Sequence, residues 1–245
     1  MKALLVRVGA DQSSGGGKWN GPVDSRTGEF AYVPIPETKP SRLGHERPYT
    51  ALLPALAEFG VSMPAHLATA SMHLDPDFEH LTYGDRGPKG RQIVNTLGAG
   101  DLLVFYAGLM DIQTHRLVYA LIGLFDIDRI DRAIDWPDSE AHRNAHTRRQ
   151  LVSDADDIVA VARTLGSGRL KQCITVGGYR DRAYRARTDV LAAWGGISAN
   201  DGYLQRSAVF PSFVEPRRFW DWWISQRPTL VRANNPEHCS RTSIC

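Results

Sequence analysis

Apolar residues in this chain of 245 residues gather in short runs with no fixed period between them. The two longest are Leu102–Leu109 and Leu117–Phe125. Each is strand-sized and apolar at consecutive positions, the pattern of a strand covered on both faces. Only the polar stretch Asp111–Arg116 lies between them, which predicts an antiparallel hairpin deep in a sheet. Gly100-Asp101 is the tight turn that feeds it. Phe105 and Tyr106 are strand neighbours and so must face opposite sides. Shorter strands are predicted at residues 1–9, at Glu29–Pro34 from its period of two, at Asp157–Ala162 and at Cys173–Val176. Pro34-Ile35-Pro36 ends the second of these or confines it to an edge.

Helical patterns are fewer. Residues 48–59 predict a helix that Pro54 interrupts and Gly60 stops. Residues 137–151 predict a polar helix entered through Pro137. Thr188 caps a helix through Trp194, closed by Gly195-Gly196. Pro216 opens the last helix, where Phe219, Trp220, Trp222 and Trp223 supply an apolar docking face. Residues 10–28 form a long polar loop, and long loops in compact domains are often binding elements. The order lacks regular βαβ alternation. It predicts an α+β fold, a mostly antiparallel bent sheet or a small β-barrel decorated by helices. A single domain over 1–232 is expected, with 233–245 as a disordered tail.

Composition changes this picture little. Hydrophobic residues at 42% and charged residues at 23% are ordinary for a globular protein. No run approaches the roughly 18 apolar residues of a membrane span. The opening apolar stretch is short for a signal peptide, so a cytoplasmic protein with no membrane partner is expected. Three cysteines make no disulfide framework, and Cys173, in an apolar run, is expected to be a buried thiol. The net charge of +2 conceals a local surplus, with ten basic residues against four acids between Arg143 and Arg187. Such a segment is either a phosphate-facing surface or a solvated face.

The common enzyme signatures are missing: no phosphate loop, no dinucleotide fingerprint, no nucleophile elbow, no H-E-x-x-H and no zinc-deaminase pattern. The densest polar cluster is His73, Asp75, Asp77 and Asp85, with Tyr83 among them. Carboxylates two apart on an extended segment point the same way. They can hold a divalent cation at Asp75, Asp77 and Asp85, share a proton, or accept hydrogen bonds from a base. The plainer alternative is a loop whose aspartates cap turns. Tyr83 or Tyr106 can stack on a base. Arg143 and His146 share a helical face, with Arg148 and Arg149 turned elsewhere. These four, with Arg169 in the Gly166-Ser167-Gly168-Arg169 turn, are candidates for phosphate contacts.

Several of these motifs fall in a familiar order. Trp19-Asn20-Gly21-Pro22-Val23-Asp24, then Phe30–Glu37, His73–Glu79, Thr82–Asp85, Gly100–Leu109 and Asn144-Ala145-His146 together resemble a bacterial and phage family, the third nucleotide modification associated domain type. The hairpin alone is similar to that of PUA, ASCH and EVE domains, which bind RNA or hold modified bases. The resemblance implies association with systems that modify DNA bases or recognise modified ones. Asn20, Asp24 and Asp101 are further candidate substrate contacts. The leading expectation is a protein that binds or modifies a nucleotide or extruded base in an aspartate- and aromatic-lined pocket, with DNA or a nucleotide as partner. Two alternatives stay open: an enzyme using metal or acid–base chemistry on a base or sugar, and a globular protein unrelated to nucleic acid.

Overall fold

The computed structural model describes residues 1–151, 156–205 and 207–235. Its strands are β1 (Ala3–Arg7), β2 (Pro22–Val23), β3 (Ile35–Pro36), β4 (Met72–His73), β5 (Thr82–Asp85), β6 (Leu102–Asp111), β7 (Leu117–Arg132), β8 (Ile158–Ala162), β9 (Gly168–Thr175), β10 (Gly177–Arg180), β11 (Ala183–Ala186) and β12 (Leu230–Val231). The α-helices are α1 (Leu53–Ala57), α2 (Gly87–Thr96), α3 (Thr188–Trp194) and α4 (Pro216–Ser225). The fold is α+β on an eight-stranded, mostly antiparallel sheet. Among the described residues no helix is long and apolar enough to cross a membrane.

The predicted hairpin is its centre. β6 and β7 pair antiparallel from Leu102 opposite Asp126 to Met110 opposite Leu117. β7 outruns its partner, so its other edge serves β9 first and β8 afterwards, and β8 carries β5. β1 and β2 lie parallel to β6, and β12 borders β9. Phe105 packs with Phe78 and Phe125 on one face, and Tyr106 with Tyr119 and Trp194 on the other. α3 and α4 cover that second face and bury Trp194, Phe219 and Trp223. Burial of Phe219 alone contributes about 1.5–3 kcal/mol. Gly123 sits at a close approach between β7, β9 and the core. A Cβ there would stand 2.5 Å from the Phe78 ring and 2.7 Å from the Gly168 carbonyl.

Several expectations need correction. The sheet is not closed into a barrel: its path runs β1-β6-β7-β8-β5 and the ends do not meet. The outer edge of β1 is taken instead by residues 211–213, through Leu5 N–H to the Pro211 carbonyl at 2.8 Å and Phe213 N–H to Ala3 at 3.1 Å. Glu29–Pro34 is not a strand. Phe30, Ala31, Tyr32 and Val33 are all buried, so the alternation does not mark an inner and an outer face. Their backbone finds irregular partners, among them Asn235 on both sides of Tyr32. Residues 48–59 split into a 3-10 turn, Tyr49–Leu52, and α1, with Pro54 in the first turn of α1, where a missing N–H is harmless. The helix of 137–151 stops after a 3-10 segment at Asp138–Arg143, because Asn144 turns extended and its side chain bonds the backbone of His146. α3 starts at Thr188 without a side-chain cap, and Gly195 closes it in the left-handed conformation. α2, with its Gly-Pro-Lys-Gly start, is a helix the sequence pattern does not announce. Residues 236–245, most of the expected tail, lie outside the described residues, as do Cys239 and Cys245.

Candidate functional site

An open cavity of about 260 Å³ lies at the C-terminal end of β1, between β5, the first turn of α2, Gln205 and residues 207–211. It is lined by His73, Asp75, Tyr83, Asp85, Lys89 and His146, with Arg7 and Asp11 at the β1 side. Several separate stretches of chain therefore meet there, and sheet pairing explains part of this. β4 pairs with β3, which sets His73 opposite Ile35 and brings Glu37, the next residue out, to the imidazole. Glu37 Oε2 lies 2.6 Å from His73 Nδ1. Burial opposes ionisation of Glu37, but the hydrogen bond from His73 holds its carboxyl down at about 2.

Asp75 follows β4 and docks on β5. Both of its oxygens accept the Gly84 N–H at 2.9 Å, and Oδ1 also accepts Asn144 Nδ2 at 3.2 Å. Asn144 bonds Thr82 and the His146 N–H as well, so it stitches residues 144–146 onto β5. Gly84 is required by this approach: a Cβ would lie 2.4 Å from His146 Cδ2 and 2.7 Å from Asn144 Oδ1. His146 turns its Nδ1 to Asp157 in a short hydrogen bond and its Nε2 toward Asp75. Arg149 Nη1 donates to the other oxygen of Asp157 at 3.1 Å.

Burial pushes the Asp75 carboxyl well above its usual range and holds the His146 imidazole down at about 4. Asp85 is also raised by burial, against the hydrogen bond it accepts from Tyr83 Oη at 2.9 Å. At neutral pH His146 is thus an uncharged imidazole with a lone pair to offer. Cationic groups also reach this cavity: Lys89 in the first turn of α2, and Arg7, which pairs with Asp11 at 3.1 Å.

Other expected site residues lie elsewhere. Asp77 does not share a site with Asp75 and Asp85. It forms a tight turn with Thr82 and points inward, where Arg148 Nη2 lies 2.5 Å from its Oδ2. Arg148, Arg149 and Arg169 are buried and do not form a phosphate-facing surface. Arg148 also donates to the His142 carbonyl at 2.6 Å. Arg169 donates to the carbonyls of Ala233 and Leu170 and lies 5.0 Å above the Phe30 ring. Arg143 pairs with Glu140 at 2.7 Å beside Trp136, and it does not share a helical face with His146. Asn20 is buried and donates to the Gly108 carbonyl at 2.8 Å. Asp24 pairs with Arg26 in its own turn, and Asp101 caps the turn at Gly98 and binds the Lys2 N–H. Tyr106 borders the cavity, but its hydroxyl is given to the Leu204 carbonyl at 2.7 Å.

Arg7, Glu37, Lys89 and Asp157 are the residues sequence reasoning missed. Glu37 closes the Phe30–Glu37 motif but carries no chemical signal of its own there, and Asp157 only opens a predicted strand. Arg7 had one usable signal, as a charge at the end of an otherwise apolar first strand. A family model described as nucleotide modification associated domain 3 matches residues 2–198. No curated protein and no solved structure matches the chain.

Proposed function

Because the chain belongs to the nucleotide modification associated domain 3 family, matched over residues 2–198, we propose that its cavity takes one nucleotide, or a base drawn out of a strand, and carries out chemistry on it. Membership ties the chain to nucleotide modification; the substrate and the step are our reading. The observation that carries it is the pairing of chemistry and charge in one hollow: two carboxylate-anchored imidazoles and Asp75 together with the cationic Arg7 and Lys89.

A cavity of about 260 Å³ lies at the small end of ligand sites, so it suits a single base with its sugar rather than a duplex. A base in a strand would have to leave the stack to enter. Asp85 is placed to accept hydrogen bonds from an exocyclic amino group, and Lys89 to meet a phosphate. A protein that only recognises a base needs edge contacts and a stacking surface. It has no use for two imidazoles each locked by a carboxylate, and this favours chemistry over recognition.

Calorimetric titration with nucleoside monophosphates and with a short single-stranded DNA tests the reading. At low salt at least one of them is expected to bind, less tightly as salt rises. Lys89→Ala and Asp85→Asn should each weaken binding by about tenfold, or roughly 1.4 kcal/mol. Failure of every nucleotide and strand to bind at low salt would overturn it.

A further inference from the structure

We infer that His73, Asp75 and His146 form a three-ligand site for a divalent first-row transition-metal ion whose remaining positions open into the cavity. The orientation of the imidazoles carries the inference. His73 Nδ1 is 2.6 Å from Glu37 Oε2, and His146 Nδ1 is hydrogen-bonded to Asp157. A carboxylate only accepts, so each ring gives its Nδ1 proton outward, which makes Nε2 the nitrogen whose lone pair the neutral ring offers. Both Nε2 atoms face the same oxygen: Asp75 Oδ2 is 3.9 Å from that of His73 and 3.5 Å from that of His146. With the rings neutral and Asp75 ionised, two lone pairs and a carboxylate oxygen converging in a buried place repel one another. A cation between them turns the repulsion into three bonds.

The dimensions fit. The three donor atoms lie within 4.8 Å of one another. Bonds of about 2.0–2.2 Å place neighbouring donors roughly 3–3.5 Å apart, so an ion draws each side chain inward by on the order of half an ångström. The surroundings fit as well. Metal-bound histidines regularly pass their other N–H to a carboxylate, which fixes the ring and raises its basicity; that arrangement occurs twice here. Asp75 is steadied by the Gly84 N–H and by Asn144. Two imidazoles and one carboxylate select an ion of the iron-to-zinc series over Mg²⁺ or Ca²⁺, which prefer oxygen. Three protein ligands leave open positions, and all three residues line the cavity.

The other cluster of suitable side chains, Asp77, Glu79 and His80, does not compete. The Arg148 guanidinium already stands 2.5 Å from Asp77 and brings the positive charge an ion would supply.

The test uses the full chain, stripped by a chelator and free of nucleotide, so that it stands apart from the nucleotide reading. Co²⁺ is followed by its visible absorption and Zn²⁺ by calorimetry, in a Cys239→Ser/Cys245→Ser background that removes the tail thiols. One ion per chain is expected. Asp75→Asn and His73→Gln should weaken binding on the order of 100-fold, and Glu37→Gln by about 10–100-fold, with thermal unfolding showing each variant folded. Excess Mg²⁺ should not displace Co²⁺. Absence of stoichiometric binding, undiminished binding in His73→Gln and Asp75→Asn, or displacement by Mg²⁺ would overturn the site. Should Asp75→Asn fail to fold, His73→Gln, at the cavity edge, decides. Nucleotide titration in chelator then reports on the nucleotide reading separately.

Discussion

Asp75 and Asp77 are two residues apart, both buried and both aspartates, yet they do opposite things. Asp77 is saturated. Its Oδ2 has Arg148 at 2.5 Å and His80 Nδ1 at 3.0 Å, and its Oδ1 accepts from Asn234 and from the N–H groups of Glu79 and His80. Burial works against its ionisation, but His80 and Arg148 hold its carboxyl down at about 2. Among the described residues no guanidinium is hydrogen-bonded to Asp75, and Arg149 favours its ionised form only weakly, from a distance. It accepts one backbone N–H and one amide and faces two imidazole lone pairs, and burial pushes its carboxyl up. A buried charge with its counter-charge in place is structure. One that no guanidinium bonds, beside an open cavity and rings aimed at it, marks a place for a ligand.

The largest expected effect lies on the saturated side. Arg148→Ala strands a buried carboxylate that cannot reach water, and should cost about 3–5 kcal/mol of stability in chemical denaturation. A loss below about 1 kcal/mol would mean that Asp77 is no more structural than its neighbour, and the contrast would fail. The next effect falls on the line dividing the two. Gly84→Ala puts a methyl group where the His146 ring lies, 2.4 Å from Cδ2. Either the ring or β5 must move. The expected cost is about 1–3 kcal/mol, with Co²⁺ affinity falling alongside it. Unchanged metal affinity would show that His146 can leave Asp75 without consequence.

Both sides of this contrast draw on residues far apart in the chain, which limits what the sequence can disclose. The central hairpin is legible because two apolar runs and the polar turn between them are contiguous. Asp75, Tyr83 and Asp85 are legible as one loop cluster, and all three line the cavity. Asp77 cannot be told from Asp75 by spacing, because what separates them is Arg148, 71 positions on, and Asn234, 157 positions on. His146 is visible as a polar residue in a basic segment, but a helical reading groups it with Arg143 for phosphate. The extended backbone of Asn144 breaks that helix and turns the ring inward. The arginine surplus misleads for a related reason. Composition counts charges without seeing that Arg148, Arg149 and Arg169 spend theirs inside.

The smallest effect on stability is expected from Asp75→Asn, and it bears hardest on the contrast. The amide has nearly the shape of the carboxylate. Its oxygen can keep the Gly84 N–H, and its nitrogen would turn toward the Nε2 atoms of His73 and His146. The Nε2 atoms would then face a donor, although Oδ2, which the nitrogen replaces, also accepts the Gly84 N–H. In the metal-free protein the change in stability should therefore stay within about 1 kcal/mol, a Tm shift of roughly 2–4 °C for a chain of this size, and it should be upward if it is anything. Metal affinity should collapse in the same variant. Stability kept and binding lost is the signature of a residue held for its ligand. A Tm drop on the scale of Arg148→Ala would instead place Asp75 with Asp77, as one more carboxylate tying the fold together.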